Sequence, residues 1–509
     1  MRSILIVLAL VSSCWGQVSS GSLAGNARDE TGAYVGRVEI LARNNATGFS
    51  RKAVTTAAGD YRIDDLLPGI YTVTAQHDGF QTVTFSSVTV ELNQIARLDF
   101  ELRAGSERTT VTVTAHVSPV QTDEASEGYL LSSKFIQELP LAGRNIISLV
   151  TLGPGALPRQ LGGFTHDIMN DLQAGRGAVA LNPPVNGARS TGNSYILDGA
   201  YNTDRNTFAI AVTPLLESVQ EFRIQSSLAP AEFAQSGGAV VDVVTKSGSH
   251  SFHGNAFEFF QNEATDAKGF FEVPGLPRGI FRQNQYGATL GGPLAPSTFF
   301  FASYEGLRGK SASVTQHLVP DAAVRGGDFS GAGSLIFDPL TLNAAGARQP
   351  FPNDTIPQNR IDPVVSKYLA LYEPLPNNPG NPASDYIDAT PNRDHSDNGS
   401  FRVDRAWGER SRLFARYTIN DERTLLAGAF PELPTSEQLR AQQATLGHTF
   451  AGASWVSETH LAFTRLRVFD LPTNAFGTNV LANLGINGFS DDPFNYGLPA
   501  LTVTNYDTV

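Results

Sequence analysis

The sequence predicts a mainly β protein that combines a small β-sandwich, a mixed α/β domain and an antiparallel sheet of the transmembrane-barrel type. Apolar and polar residues alternate in short segments between turn residues, the pattern of strands with two unlike faces. The 509 residues include 48 Gly and 29 Pro, 17% are charged and the net charge is −12. That composition suits turn-rich sheets and disfavours nucleic acid as a partner. No apolar run after the N-terminal segment reaches the roughly 18 residues of a helical span, so a membrane region would have to use strands.

Residues 1–16 predict a cleaved secretory signal. Arg2 supplies the positive charge, an apolar run follows, and the expected cut comes after Gly16. Cys14, the single cysteine of the chain, would leave with the signal, so the mature chain would form no disulfide. The alternative is that Cys14 is the lipid-modified residue of a lipoprotein.

Residues 17–104 predict the β-sandwich. Alternating strands are expected around residues 37–40, 61–63, 71–75 and 88–90, and Gly-containing turns separate them. The motifs at residues 59–61, 67–73 and 79–80 (GDY, LPGIYTV and GF) resemble the carboxypeptidase regulatory-like domain, which implies a transthyretin-like sandwich.

The sandwich offers little for catalysis. His77 is the only nitrogen ligand in this segment, and with Asp78 and Gly79 it predicts a polar hairpin turn. Asp64 and Asp65 are adjacent on a strand and point apart, so a solvated turn is expected in place of a catalytic pair. No metallopeptidase is predicted.

Residues 105–248 predict a mixed α/β domain. A β-branched strand is expected at residues 109–114 and a short helix at 132–139, before Pro140. Two further strands are expected at residues 194–197 and 240–244. Between the helix and these strands, residues 153–184 are rich in Gly and Pro and show little periodicity.

This middle segment resembles the plug domain of TonB-dependent outer-membrane receptors, in particular the Oar-like group, which carries the same N-terminal sandwich. The resemblance rests on residues 185–199, 219–222 and 237–248, together with barrel-like motifs at 252–260, 291–293 and 299–306. The plug motif contains Asn186, Gly187, Arg189, Asp198 and Gly199. Arg189 and Asp198 are expected to form charged pairs with each other or with the barrel wall.

Residues 249–509 predict part of an outer-membrane β-barrel. Leu413, Ala415, Tyr417 and Ile419 alternate with Arg412, Arg416 and Thr418, which gives one apolar and one polar face. A long extracellular loop is expected at about residues 306–397, where Pro, Asn, Asp and Gly are frequent. Plugged transporters have about 22 strands, so we expect this stretch to supply fewer than half of them and the barrel to be truncated.

A candidate TonB box follows the sandwich, formed by Thr110, Val111, Thr112, Val113, Thr114 and Ala115. A TonB box is a short β-prone segment near the plug, and it pairs edge to edge with a strand of a periplasmic partner. The alternative is that these residues form the first strand of the plug.

No other pattern predicts chemistry. His250 and His253 are three residues apart, which on a strand places them on opposite faces, and the nearest carboxylate is Glu258. The chain has neither a phosphate-binding loop nor a nucleophile elbow. We therefore expect no metal, no cofactor and no enzyme activity.

The resemblance implies an outer-membrane protein that takes up a ligand by energy-coupled plug movement. The implied partners are a TonB-type periplasmic protein, outer-membrane lipid and a small-molecule, peptide or glycan ligand, with no nucleic acid. The alternative is a surface adhesion or carbohydrate-binding protein anchored by the barrel. The ligand stays open because specificity resides in variable loops.

Overall fold

The computed structural model describes residues 20–105, 110–113, 127–157, 182–267 and 278–507, except for short gaps at 140, 142–143, 207, 228, 230–232, 234–235, 332, 334, 382, 429, 431–433, 453–454, 473 and 500. The expected signal peptide, residues 1–16, lies outside these ranges. No helix in the described ranges is long and apolar enough to cross a bilayer.

The sandwich, residues 20–113, has two sheets. Its strands are β1 (Gly21–Asp29), β2 (Glu39–Asn44), β3 (Ser50–Val54), β4 (Asp60–Leu66), β5 (Gly69–Gln76), β6 (Thr82–Val90), β7 (Ile95–Arg97), β8 (Phe100–Leu102) and β9 (Thr110–Val113). One sheet has the order β4-β1-β7, with β8 also paired to β1, and the other has the order β3-β2-β5-β6-β9.

Alternate residues of these strands form the core between the two sheets, among them Ile40, Val73 and Phe100. Tyr61 and Tyr71 are buried in this core, and both hydroxyl groups donate to backbone carbonyls. Tyr61 donates to the Leu98 carbonyl at 2.7 Å, and Tyr71 donates to the Leu67 carbonyl at 2.8 Å. The sandwich therefore has a hydrophobic core of its own.

Strand β9 is not the first strand of the plug, which was one of the two sequence expectations. It pairs in parallel with β6, from Thr82 opposite Thr110 to Phe85 opposite Val113. The sandwich sheet accordingly extends past the expected boundary at residue 104. The edge of β6 offers unpaired backbone groups, and a β-branched segment just after the sandwich satisfies them.

The plug, residues 127–248, has a five-stranded mixed sheet of order β10-β13-β14-β11-β12. Its elements are β10 (Glu127–Ser132), α1 (Ser133–Glu138), β11 (Ser194–Leu197), β12 (Ala200–Tyr201), β13 (Val219–Ser227) and β14 (Val240–Thr245), with 3₁₀ turns at Ile146–Leu152, Ser190–Gly192 and Leu216–Ser218. Strands β11, β13 and β14 are buried along nearly their whole length. The sheet is thus enclosed on both faces.

The barrel sheet has seven antiparallel strands in the order β15-β16-β17-β20-β21-β22-β23. They are β15 (His253–Asn262), β16 (Ile280–Ala295), β17 (Thr298–Ala312), β20 (Asn392–Trp407), β21 (Ser411–Leu426), β22 (Thr435–Ala451) and β23 (Val456–Pro472). Among the described residues β15 and β23 pair on one side only, so the sheet is open.

The faces of this sheet are inverted relative to a soluble protein. Arg416, Thr418 and Gln443 are buried, while Tyr417 and Leu446 on the opposite face are about 40% exposed. Polar residues inside and apolar residues outside are typical of an outer-membrane barrel wall. The alternation expected from the sequence is confirmed here.

The long connection between β17 and β20 is shorter than expected, because the strands extend to Ala312 and from Asn392, and pairing continues to Ser311 opposite Asn392. Backbone pairing remains favourable beyond the bilayer, which lengthens both strands. The connection contains β18 (Thr315–His317), α2 (Ala322–Arg325), α3 (Pro363–Tyr372), β19 (Tyr386–Asp388) and 3₁₀ turns at Pro339–Thr341, Pro352–Asp354 and Gln358–Arg360; α4 (Val480–Leu484) and Pro493–Asn495 follow β23.

Candidate functional site: the plug against the barrel wall

Two Asx-Gly turns give the plug motif its shape. Asn186 and Gly187 have φ values of 52° and 73°, and the Ala188 N–H donates to the Val185 carbonyl at 3.0 Å. Positive φ at both central residues is the signature of a type I′ turn, which Asn-Gly favours. The Asn186 amide also donates to the Ser226 carbonyl of β13, which ties the turn to the plug sheet.

The second turn carries the charge of the motif. Asp198 and Gly199 have φ values of 48° and 71° and form the two-residue loop between β11 and β12, with Leu197 opposite Ala200. Asp-Gly is a favoured pair in such a hairpin, because both residues tolerate the left-handed conformation. The hairpin therefore presents the Asp198 carboxylate at the end of the sheet.

The Asp198 carboxylate lies between the plug and the wall and is only 2% exposed. Within the plug it accepts from the Thr245 N–H and hydroxyl, both at 2.8 Å. From the wall, Arg402 Nη1 donates to Oδ1 at 2.9 Å and Arg416 Nε lies 2.7 Å from Oδ2. Burial alone would raise the pKa of Asp198, but the two guanidinium groups and Thr245 lower it below its usual value.

Both arginines are held by further wall residues. Arg402 donates twice to Asp404, at 2.8 and 2.9 Å, and its guanidinium lies over the Phe414 ring. Arg416 donates to Thr418 at 2.7 Å and to Gln443 at 2.5 Å. These contacts fix the orientation of both guanidinium groups, which reduces the side-chain entropy lost in the ion cluster.

Of the two pairings expected for Arg189 and Asp198, the pair between them does not form, and Asp198 pairs with the barrel wall. Arg189 is exposed, and no hydrogen bond or ion pair of its guanidinium is found within the described part of the chain. It precedes the short turn at Ser190–Gly192 and accepts there with its carbonyl. Asp198 instead takes the partners from the barrel wall, which are buried and already positioned.

Further polar contacts join the plug to the wall. Asn420 of β21 accepts from the Thr213 N–H at 3.0 Å and donates to the Thr213 carbonyl at 3.1 Å. Glu217 accepts from Arg144 at 2.6 Å inside the plug and from Asn255 of β15 at 3.1 Å. The plug is therefore held by hydrogen bonds and ion pairs at several separate points of the wall.

The sandwich also contacts the wall, and here one sequence expectation is wrong. Asp65 is 3% exposed and is not a solvated turn residue. It pairs with Arg51 of the sandwich and accepts from Arg412 Nη2 of β21 at 2.9 Å. Burial raises the pKa of Asp65, an effect that the two guanidinium groups oppose. Its neighbour Asp64 is partly exposed, as expected of adjacent strand residues.

The loop between β6 and β7 contacts the plug sheet. Glu221 accepts from the Leu92 N–H at 2.7 Å, and Arg223 donates to the Leu92 carbonyl at 2.7 Å. Asn93 donates from its side-chain amide to Asp242 at 2.8 Å. Burial raises the pKa of Glu221 to about 8 and that of Asp242 to about 7.

The candidate TonB box lies at the edge of the sandwich. The backbone of Thr110–Val113 forms β9, and its edge away from β6 pairs with no other strand among the described residues. Thr114 and Ala115 lie outside the described ranges.

The two histidines contact neighbouring side chains. His250 meets the ring of Phe299 edge-on, and His253 lies beside Ser249. Across the described ranges, no group of three or more His, Cys, Asp or Glu residues has the geometry to hold a metal ion.

Sequence reasoning missed most of the partners in these contacts. Arg412 and Arg416 were placed on the polar face of β21, but their partners Asp65 and Asp198 are distant in sequence. Arg402 was not singled out at all. Its signal was available, because Arg402 and Asp404 are charged residues at alternate positions of one barrel strand.

Two family profiles match the chain. The outer membrane beta barrel domain matches residues 244–509, and the carboxypeptidase regulatory-like domain matches residues 22–103. The TonB-dependent transporter Oar of Myxococcus xanthus is 28% identical over 273 residues, a match that covers 49% of this chain. The match spans only 23% of the length of that relative.

Solved structures with similarity include two bacterial proteins. The outer membrane transporter YddB of Escherichia coli has 11% identity and a TM-score of 0.44, covering 68% of this chain and 40% of that chain. The ferric enterobactin receptor PfeA of Pseudomonas aeruginosa has 10% identity and a TM-score of 0.39, covering 68% and 42%.

Proposed function

We propose that this chain, which belongs to the outer membrane β-barrel domain family and is an Oar-like TonB-dependent receptor of the outer membrane, takes up a ligand by energy-coupled movement of its plug. The site performs no covalent step in this proposal. Its chemistry is the making and breaking of buried ion pairs and hydrogen bonds between plug and wall.

The observation that carries the proposal is the Asp198 cluster. A carboxylate of the plug is shared between two wall arginines, Arg402 and Arg416, in a buried setting. Removing one partner of a buried ion pair costs about 3–5 kcal/mol, because a charge is left without compensation. Such a contact holds the plug closed at rest, and an external source of energy is needed to move it.

We propose a TonB-type periplasmic protein as the source of that energy. Thr110–Val113 supports this role, since it is the last strand of the sandwich before the plug in the chain and one of its edges is open in the described structure. A strand of the partner adds to such an edge through backbone hydrogen bonds. The ligand class is a small molecule, peptide or glycan.

The alternative is a surface adhesion or carbohydrate-binding protein that uses the barrel as an anchor. The separate core of the sandwich favours it, because an independent β-sandwich is a common binding module. In that case the plug would stay in place throughout binding.

Uptake by cells that carry a plug tied to the wall separates these functions. Thr213→Cys combined with Asn420→Cys introduces a disulfide at a plug–wall contact, and the only other cysteine is Cys14 of the expected signal. The probes are four radiolabelled compounds, namely a ferric siderophore, cobalamin, an oligosaccharide and an oligopeptide. The two single-cysteine variants are the matched controls.

Transport predicts that accumulation of one probe requires this gene and the TonB-type gene, stops when the disulfide forms and returns on reduction. Surface binding of that probe should persist in the oxidised variant. If the amount of a cell-associated probe changes neither when the disulfide forms nor when an uncoupler is added, the result would favour adhesion and contradict transport.

A further inference from the structure

We infer that the N-terminal sandwich is a bridge between the plug and the barrel wall, which holds the plug in the lumen and transmits to it any displacement of the sandwich. The bridge is defined by Leu92 and Asn93 at its plug end and by Asp65 at its wall end. The inference rests on the proposed function only in taking residues 127–248 to be a movable plug.

The plug end of the bridge is specific and buried. Glu221 and Arg223 contact the N–H and carbonyl of one residue, Leu92, each at 2.7 Å. The Leu92 side chain is fully buried although it is not part of the sandwich core cluster. A backbone held at both polar groups cannot slide along the sheet, so the loop moves with the plug.

Asn93 adds a second contact at this end. It adopts a φ of 49°, which Asn tolerates better than most residues, and this places its amide 2.8 Å from Asp242. The other oxygen of Asp242 has no hydrogen-bond partner within the described residues. Loss of the Asn93 amide would therefore leave this buried carboxyl without its side-chain donor.

The wall end is an ion cluster. Asp65 lies between Arg51 of the same sandwich and Arg412 of β21, and all three side chains are at least nine-tenths buried. Arg51 also donates to the Glu409 carbonyl, at 2.9 Å, in the turn between β20 and β21. A single sandwich carboxyl therefore holds together two elements that are about 350 residues apart.

The packing beside the wall end is incomplete. A cavity of about 260 Å³ lies there, lined by Phe49 of the sandwich, Phe299 and Arg412 of the wall, and Ser247 after the plug. The pocket is partly open to solvent, so apolar packing is reduced at this point of the interface. The ion cluster and the hydrogen bonds to the wall are therefore the contacts that the test removes.

The two ends act in series. No hydrogen bond or ion pair joins Arg412 to the plug in the described ranges, so the polar contacts that lead from Arg412 to the plug sheet pass through the sandwich. If the bridge holds the plug, cutting either end removes its whole contribution, and cutting both ends adds nothing. Independent contacts would instead have additive effects.

The test measures exposure of the plug–wall seam in outer-membrane vesicles. Val212 is fully buried and packs on Leu439 and Ala441 of β22, so Val212→Cys reacts with a membrane-impermeant maleimide only when the seam opens. The wall-end variant combines Arg412→Gln with Arg51→Gln, which removes the bond from Arg412 to Asp65 and the bond from Arg51 to the Glu409 carbonyl. The plug-end variant combines Asn93→Gly, Glu221→Ala and Arg223→Ala, which removes the side-chain contacts named for that end.

Each variant has a matched control. Arg467→Gln makes the same type of change at an exposed arginine of β23 that stacks on Phe469. Asn45→Gly removes an amide that bonds only within the sandwich.

The bridge predicts that each end variant raises the labelling rate about tenfold, equivalent to about 1.4 kcal/mol. The combined variant should stay within about twofold of the faster single variant, and both controls should match the parent. Rates that multiply to about a hundredfold in the combined variant, or a wall-end rate equal to that of Arg467→Gln, would overturn the inference. The labelling needs neither ligand nor periplasmic partner, so a failure of uptake and a failure of the bridge are separate results.

Discussion

At the scale of single residues, the contacts between the three parts of the molecule include buried carboxyl groups. These groups differ in the number of positive partners and hydrogen-bond donors around them. Asp198 has two arginines and two plug donors, and its pKa is lowered. Glu221 and Asp242 at the sandwich–plug contact are desolvated with fewer positive partners, and their pKa values are raised. Asp198 is therefore ionised and strongly paired, whereas Glu221 and Asp242 are protonated more readily.

Asp198→Asn should weaken the hold of the wall on the plug. The substitution keeps the positive φ and the size of the side chain but leaves Arg402 and Arg416 without their shared carboxylate. We expect a loss of about 3–5 kcal/mol at this contact, measured as the urea dependence of Val212→Cys labelling. Arg189→Gln is the control from the same motif and should change stability by less than about 0.5 kcal/mol. Equal shifts in the two variants would contradict the assignment of Asp198 as the plug–wall contact.

The contact between sandwich and plug should weaken with rising pH. Folded carboxyl groups with raised pKa values hold protons that the unfolded chain has already released, so their contribution is complete below about pH 4. It is lost as the pH rises through about 7 for Asp242 and about 8 for Glu221. The urea concentration at the midpoint of Val212→Cys labelling should therefore decrease as the pH is raised from 5 to 8.5. Glu221→Gln combined with Asp242→Asn should make this midpoint less dependent on pH. Asp64→Asn should keep the full dependence, and a midpoint that rises with pH would reverse the expected sign.

At the scale of elements, the two edges of strand β9 have different surroundings. Its backbone pairs in parallel with β6, and its other edge is open in the described structure. β6 continues directly into the loop with Leu92 and Asn93, which contacts the plug. A strand added to β9 would thus act on the same element that holds the plug sheet.

Proline substitutions can separate the two edges of β9. Neighbouring residues of a strand direct their N–H groups to opposite edges, so Val111→Pro and Thr112→Pro remove donors on different sides. One variant should weaken binding of the C-terminal domain of a TonB-type protein by about 1 kcal/mol, and the other should lower sandwich stability by a similar amount. Titration calorimetry and thermal melts measure the two effects. Val111→Ala is the control, and binding that is unchanged in both proline variants would place the box elsewhere.

At the scale of the whole molecule, three hydrophobic regions serve different surroundings. The sandwich has a closed core, the plug sheet is buried on both faces, and the barrel sheet turns its apolar side outward. Outward Tyr417 and Leu446 suit lipid, while inward Arg416 and Gln443 suit a polar plug. The parts therefore meet mainly through polar contacts, which can be broken and remade more readily than a continuous apolar core.

The sandwich should fold without the other two parts. We expect residues 20–113 to be soluble and β-rich by circular dichroism, with one cooperative transition. Ile40→Ala removes a fully buried side chain and should lower the free energy of unfolding by about 2–5 kcal/mol. Ile70→Ala is the matched control, since Ile70 is 53% exposed, and it should change stability by less than about 0.5 kcal/mol. A random-coil spectrum for residues 20–113 would contradict this independence.

The sequence by itself determined the elements with local signals. The alternation of β21 and the helix after Ser132 follow from side-chain period and flanking residues. These preferences act within a few residues, and a reader of the sequence alone can apply them.

The tertiary structure alone decided which charges meet. Asp65 reads locally as a solvated turn residue and is buried by Arg412, and Asp198 pairs with Arg402 and Arg416 in place of Arg189. Strand β9 joins β6 because that edge lies beside it in space. Coulomb and hydrogen-bond energies fall off over a few ångströms, so they depend on the final packing of residues hundreds of positions apart, which no local pattern contains.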